Sequence, residues 1–170
     1  MIFIDEAGSN AAMDREYGRA ERGERVHGHK PRNWGDNITM LGAIGISGFA
    51  TLVSIPGATD TEIFVTFIRD FLAPELKPGQ VVIMDNLQAH KGPEVRQAIE
   101  ARGATLVFLP PYSPDLNPIE LCWSKVKNYL RSAAARTRDT LNQAIAEAMA
   151  LVSQTDCRAW FRHCGYQVPG

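Results

Sequence analysis

Apolar residues follow two spacings along the chain. Ile2-Phe3-Ile4, Val81-Val82-Ile83-Met84 and Leu106-Val107-Phe108-Leu109 are short unbroken runs, as expected of strands covered on both faces. The first two end in acids, Asp5-Glu6 and Asp85. From Asn37 to Thr59 no charged residue occurs, a length that could span a bilayer. That stretch also holds Gly42, Gly45, Gly48, Pro56 and Gly57, and Ile46-Ser47-Gly48-Phe49 reads as a turn. The pattern predicts a buried β-hairpin over 38–55 rather than a membrane helix.

Helical spacing appears after Thr59-Asp60, a helix-start pair, where Ile63, Phe64, Phe67, Ile68, Phe71 and Leu72 share one face. Pro74 and Pro78-Gly79 end that helix. A second helix is predicted over 93–102, opened by Pro93 and closed by Gly103. A third runs from Asn117-Pro118 to about Arg131, and a last one covers roughly 138–152. Strand, hairpin, helix, strand, helix, strand, helix defines an α/β fold on a mixed five-stranded sheet flanked by helices. Residues 9–37 break the pattern. They are rich in Arg, Glu, Gly and His and read as an arm or insertion, because long loops in compact domains are usually functional or disordered.

Composition narrows the function. At 170 residues, 45% hydrophobic and 22% charged, the chain suits one globular domain over 1–170, with a helical C-terminal tail at 132–170. The net charge of −1 is not that of a stand-alone DNA binder. Cys122, Cys157 and Cys164 form no CxxC pair, so neither a disulfide framework nor a zinc site is expected. Cys157 and Cys164 read as small buried thiols on a C-terminal helix. No basic-then-apolar leader opens the sequence. The expected compartment is a bacterial-type cytoplasm, in association with the nucleoid, without a membrane partner.

The chemistry lies in the acids. Open α/β sheets bind ligands beyond the carboxyl ends of their strands, where Asp5 and Asp85 fall. Carboxylates there suit Mg²⁺, which takes oxygen ligands and keeps several waters. Glu120 is ambiguous. In Asn117-Pro118-Ile119-Glu120 it occupies the third helical position, where Glu completes a capping box. Helical geometry also puts Glu120, Ser124, Lys127 and Arg131 on a polar stripe beside the apolar Ile119, Cys122, Trp123, Val126 and Leu130. From there a first-turn carboxylate reaches a sheet end. Glu6 is set aside in favour of Asp5, because neighbouring strand side chains point to opposite faces.

The blocks FIDEAG at 3–8, VVIMDNLQAHK at 81–91 and LVFLPPYSPDLNPIELCWSKVK at 106–127 closely resemble the DDE domain of the IS630/Tc1/mariner superfamily of transposases. The likeness covers about residues 1–131. Thirty-four residues separate Asp85 from Glu120, the spacing of the IS630-type DD34E pattern. The resemblance implies an RNase H-like fold with Asp5, Asp85 and Glu120 as catalytic, metal-binding residues. It implies Mg²⁺, with Mn²⁺ as a substitute and two ions in the site. It also implies cleavage of a phosphodiester at a transposon end, followed by attack of the freed 3′-hydroxyl on target DNA. That spacing sets Asp115 aside as the third acid, leaving Tyr112-Ser113-Pro114-Asp115 as a rigid loop presenting the Glu120 helix.

Candidate DNA contacts are His90, Lys91, Lys125, Lys127 and Arg131; Arg136 and Arg138 extend the basic patch. In relatives an arm between the first two strands bridges subunits in the DNA complex. The expected partners are therefore DNA and a second copy of the chain, with Trp34 as an anchor of the arm. Full-length relatives carry helix-turn-helix domains ahead of the first catalytic strand, whereas Met1 stands four residues before Asp5. A separate or frameshifted DNA-reading half is thus a further expected partner. The alternative expectation is an inactive, truncated remnant that at most binds nucleic acid or self-associates.

Overall fold

Strand β1 (Ile2–Asn10) lies at the centre of a five-stranded sheet of order β3-β2-β1-β4-β5. It pairs antiparallel with β2 (Asn37–Gly45), which pairs antiparallel with β3 (Gly48–Pro56). On its other side β1 pairs parallel with β4 (Val81–Met84), which pairs parallel with β5 (Thr105–Phe108). The computed structural model describes residues 1–28, 31, 32, 35, 37–86 and 91–169. The expected mixed sheet of five strands is present, and the hairpin turns at Ile46-Ser47, inside the expected turn.

Period-2 alternation along β1 divides the core between the two faces. Ile2 and Ile4 pack with Leu41, Val82 and Met84 against α1 (Thr61–Thr66) and α2 (Pro93–Glu100). Phe3 and Ala7 pack with Met40, Ile44 and Ile83 on the opposite face. That face is covered by α3 (Pro118–Ala133), α4 (Arg138–Ala150) and α5 (Gln154–His163). Leu141, Ala144, Ile145, Ala148 and Phe161 are all buried there, so the helical tail is part of the core. Each large apolar side chain so covered is worth about 1.5–3 kcal/mol.

Two expectations need correction. β1 does not stop at Asp5. Its contact with β4 ends after three residue pairs, but its ladder with β2 continues to Asn10↔Asn37. The unbroken apolar run marked only the part flanked on both sides. The predicted single helix after the hairpin is instead α1, a π-helical turn (Phe67–Leu72) and a 3-10 turn (Ala73–Glu75). The change of pitch still buries Phe67, Ile68 and Leu72. Among the described residues no helix is long and apolar enough to cross a membrane.

Candidate active site

The parallel register of β1 and β4 aligns Ile2 with Val82, Phe3 with Ile83 and Ile4 with Met84. Aspartate follows the last aligned pair on both sides: Asp5 within β1, and Asp85 just past the end of β4. Asp5 shares the parity of Phe3, and Asp85 that of Ile83, so both follow the face that packs against α3. Asp5 and Asp85 line one cavity of about 380 Å³. Glu6, one residue on, is exposed and does not line it.

Glu120 reaches the same cavity from α3. The predicted apolar stripe is buried throughout, from Ile119 to Leu130. That burial fixes the helix rotation and leaves Glu120 exposed on the first turn, next to Asp5 and Asp85. Asn117 precedes the helix but its side chain makes no capping hydrogen bond. It is buried, lines the cavity, and its Oδ1 has no hydrogen-bond partner. The capping-box alternative for Glu120 therefore lacks its Asn117 half.

A loop closes one side of the cavity with Leu109, Pro110, Pro111, Tyr112, Ser113 and Pro114. Tyr112 is fully exposed and held at φ +57°, a conformation few non-glycine residues adopt. Asp115, in the following 3-10 turn (Pro114–Leu116), is exposed and stays out of the lining. The Tyr166 hydroxyl donates to the Leu116 carbonyl at 2.8 Å. Tyr166 packs on Phe3, ring centroids 5.0 Å apart. The chain's C-terminal end thus props both the turn before Asn117 and the strand that ends in Asp5.

The electrostatics centre on Asp5. It is 8% exposed, and its pKa is raised to about 7. Burial is the largest cause, followed by the charge of Glu120; Asp85 adds to it. The Glu6 backbone N–H and the Trp123 indole oppose the rise. Three carboxyls facing one space repel, and a cation between them relieves that repulsion. Among the described residues no group of three or more Asp, Glu, His or Cys side chains is placed to hold a metal ion. The open, all-oxygen set fits Mg²⁺, which commonly binds one or two carboxylates and completes its shell with water and phosphate.

Other candidates are placed differently. The Lys125 ammonium is engaged within the fold, 2.6 Å from Asp156 Oδ2 and 2.8 Å from the Leu151 carbonyl. Five residues on from Glu120, it points along a different side of α3. Arg131 pairs with Glu16 of the arm at 3.2 Å. Arg136 holds Asp14 at 2.7 Å and donates to the Ala11 and Met13 carbonyls. Lys127 is half-buried and Lys91 exposed, both outside the cavity lining. His90 and Trp34 lie outside the described residues.

Two residues at the site carry signals that the sequence reading left unused. Trp123 belongs to the apolar stripe, yet it lies three residues from Glu120 on the same helix side. Gly42 pairs with Asp5 across β1 and β2, and glycine inside a strand often marks a close approach.

Acids at the ends of two adjacent parallel strands thus share one cavity with an acid from a packed helix. Residues 1–142 match the family model described as DDE superfamily endonuclease, and the chain belongs to that family. Transposable element Tc1 transposase of Caenorhabditis elegans is 28% identical over 112 residues, 64% of this chain and 41% of that protein. The Mos1 transposase paired-end complex with left transposon end superposes with a TM-score of 0.75 at 17% identity, over 96% of this chain and 51% of that one. The Mos1 transposase catalytic domain with Raltegravir and Mg gives 0.64 at 14%, over 96% and 75%. The fold is therefore RNase H-like, as in the Mos1 catalytic domain, and the chain is a DDE superfamily endonuclease domain. It spans about two fifths of the Tc1 protein and about half of the Mos1 paired-end chain.

Proposed function

We propose that this domain cuts phosphodiester bonds at the ends of a DNA transposon and joins the freed ends to target DNA. One observation carries the reading: Asp5 and Asp85 each follow the last aligned pair of β1 and β4, Ile4↔Met84, and line one cavity with Glu120. In this reading all three hold divalent ions. Mos1 paired-end complexes exist with Mn and with Mg, and two ions fit a reaction with an attacking and a leaving oxygen. When bound, such ions stabilise charge on those oxygens.

The chain's own groups do the rest. Asp5 and Asp85 offer oxygens from a rigid sheet, so their separation changes little as DNA enters. Glu120 adds a third oxygen donor from a helix start locked by its apolar stripe. Both steps are in-line displacements at phosphorus, so no Ser or Tyr nucleophile is needed. Lys91 and Lys127 remain available for phosphate contacts, which orient DNA without reading its sequence. A second copy of the chain and a helix-turn-helix segment complete the assembly on transposon ends.

The test joins the domain to a DNA-reading half and supplies transposon-end DNA with Mg²⁺ or Mn²⁺. Strand cleavage that disappears in Asp85→Asn supports the proposal. Absent cleavage, or cleavage indifferent to that substitution, removes it and leaves a non-enzymatic remnant.

A further inference from the structure

We propose that Trp123 is a positioning residue whose indole N–H holds the Asp5 carboxylate in the orientation that faces the cavity. The inference rests on the divalent-ion reading of that site, and adds to it a residue that touches neither DNA nor ion.

Three observations converge. The first is register: Asp5 pairs with Gly42 across β1 and β2. The second is space. A Cβ on Gly42 would fall 2.6 Å from Trp123 Cη2 and 3.0 Å from Cζ2. No side chain fits there, because the edge of the indole already rests on the Gly42 backbone. Cζ2 adjoins the ring carbon bonded to Nε1, so the contact brings the N–H edge to the Asp5–Gly42 pair. The third is an open valence. Trp123 is 2% exposed, and its Nε1 is buried without a hydrogen-bond partner.

An indole N–H only donates, and a buried donor left unpaired is costly. The acceptor within its influence is Asp5, whose carboxyl pKa the indole lowers. In the present side-chain arrangement the bond is not closed to normal geometry. A rotation of the Asp5 carboxyl closes it, with one oxygen on the indole and the other left for the cavity. Groups that orient a metal-binding side chain in this way typically change metal affinity 10–100-fold when removed. Helix α3 would then supply both a ligand, Glu120, and the support of another.

The test reads the contact and its consequence separately. In ¹⁵N-labelled protein the Trp123 indole N–H resonance is identified by its loss in Trp123→Phe. Asp5→Ala is expected to move that resonance upfield; an unmoved resonance overturns the contact. Trp123→Phe keeps the ring and removes the donor. It is expected to stay folded and to bind Mn²⁺ about 10-fold or more weakly by calorimetry, with no further loss when added to Asp5→Asn. Folded Trp123→Phe with wild-type Mn²⁺ affinity overturns the positioning role. If Trp123→Phe fails to fold, Gly42→Ala, which must tilt the indole, replaces it with the same expected loss and the same overturning result. Wild-type protein that binds no Mn²⁺ removes the ion reading and the positioning role with it, whereas the resonance still decides whether Trp123 and Asp5 touch.

Discussion

Asp5 is where folding and chemistry oppose each other. Its carboxyl is raised from an ordinary 3.8 to about 7, first by burial and then by the charge of Glu120. A group whose pKa rises on folding stabilises the fold while it is protonated. Here that contribution is complete below about pH 4 and is lost as pH rises towards 7. At pH 8 the charged, ion-free fold is weaker by on the order of 4 kcal/mol than with Asp5 neutral. Asp5→Asn is therefore expected to raise the melting temperature of ion-free protein at pH 8 by several degrees, with the gap closing near pH 4. A thermal-shift series from pH 4 to 8 checks this, and an Asp5→Asn variant less stable than wild type at pH 8 contradicts it. Below pH 7 a cation must also displace a proton from Asp5. Mg²⁺ affinity should thus rise close to tenfold per pH unit between 5 and 7, measurable by calorimetry.

At the scale of elements, Lys125 and Asp156 staple α5 to α3. Lys125 and then Ser153 pull the Asp156 carboxyl down to about 2. Its stabilising effect is present above the ordinary carboxylate range and is lost as pH falls towards 2. Lys125→Met is expected to cost about 1 kcal/mol in urea unfolding at pH 7 and to leave the salt dependence of DNA binding unchanged. A lowered salt slope would return Lys125 to the DNA surface. The helices were legible in the sequence because each has one apolar face and a clear boundary, as with Pro93, Pro118 and the stripe from Ile119 to Leu130. β1 was legible only over Ile2–Ile4, since beyond Asp5 just one neighbouring strand and alternate residues mark it. Asp5 and Asp85 could be read as strand-end acids. Glu120 could not be told from a helix cap without the resemblance, because the same sequence signal serves both roles. The Lys125–Asp156 pair could not be read, because a partner 31 residues away leaves no local trace. The unpaired Asn117 and Trp123 atoms depend on tertiary packing, which no spacing encodes.

At the scale of the whole molecule, the arm after β1 is fastened at its base. Arg136 grips Asp14 and two backbone carbonyls, and Arg131 grips Glu16. Beyond those contacts Arg19, Arg22 and Arg25 are exposed. Exposed loop segments are the preferred sites of proteolytic nicking. Brief trypsin treatment is expected to cut first at these three arginines and to leave the sheet and helices associated. Arg136→Ala should speed that first cut several-fold, as mass spectrometry of the fragments would show. First cuts within α3 or α4 would contradict the fastening.

The parallel pairing of β1 with β4 has a consequence for the protein's birth. Asp5 leaves the ribosome eighty residues ahead of its neighbour Asp85 and further still ahead of Glu120. Hairpin β2–β3 can pair with β1 beforehand, but no fragment short of α3 brings the three acids together. Contacts between such distant parts of a chain form late and slowly. A nascent or prematurely terminated copy therefore carries no assembled site, and the three acids meet only with the finished centre of the sheet.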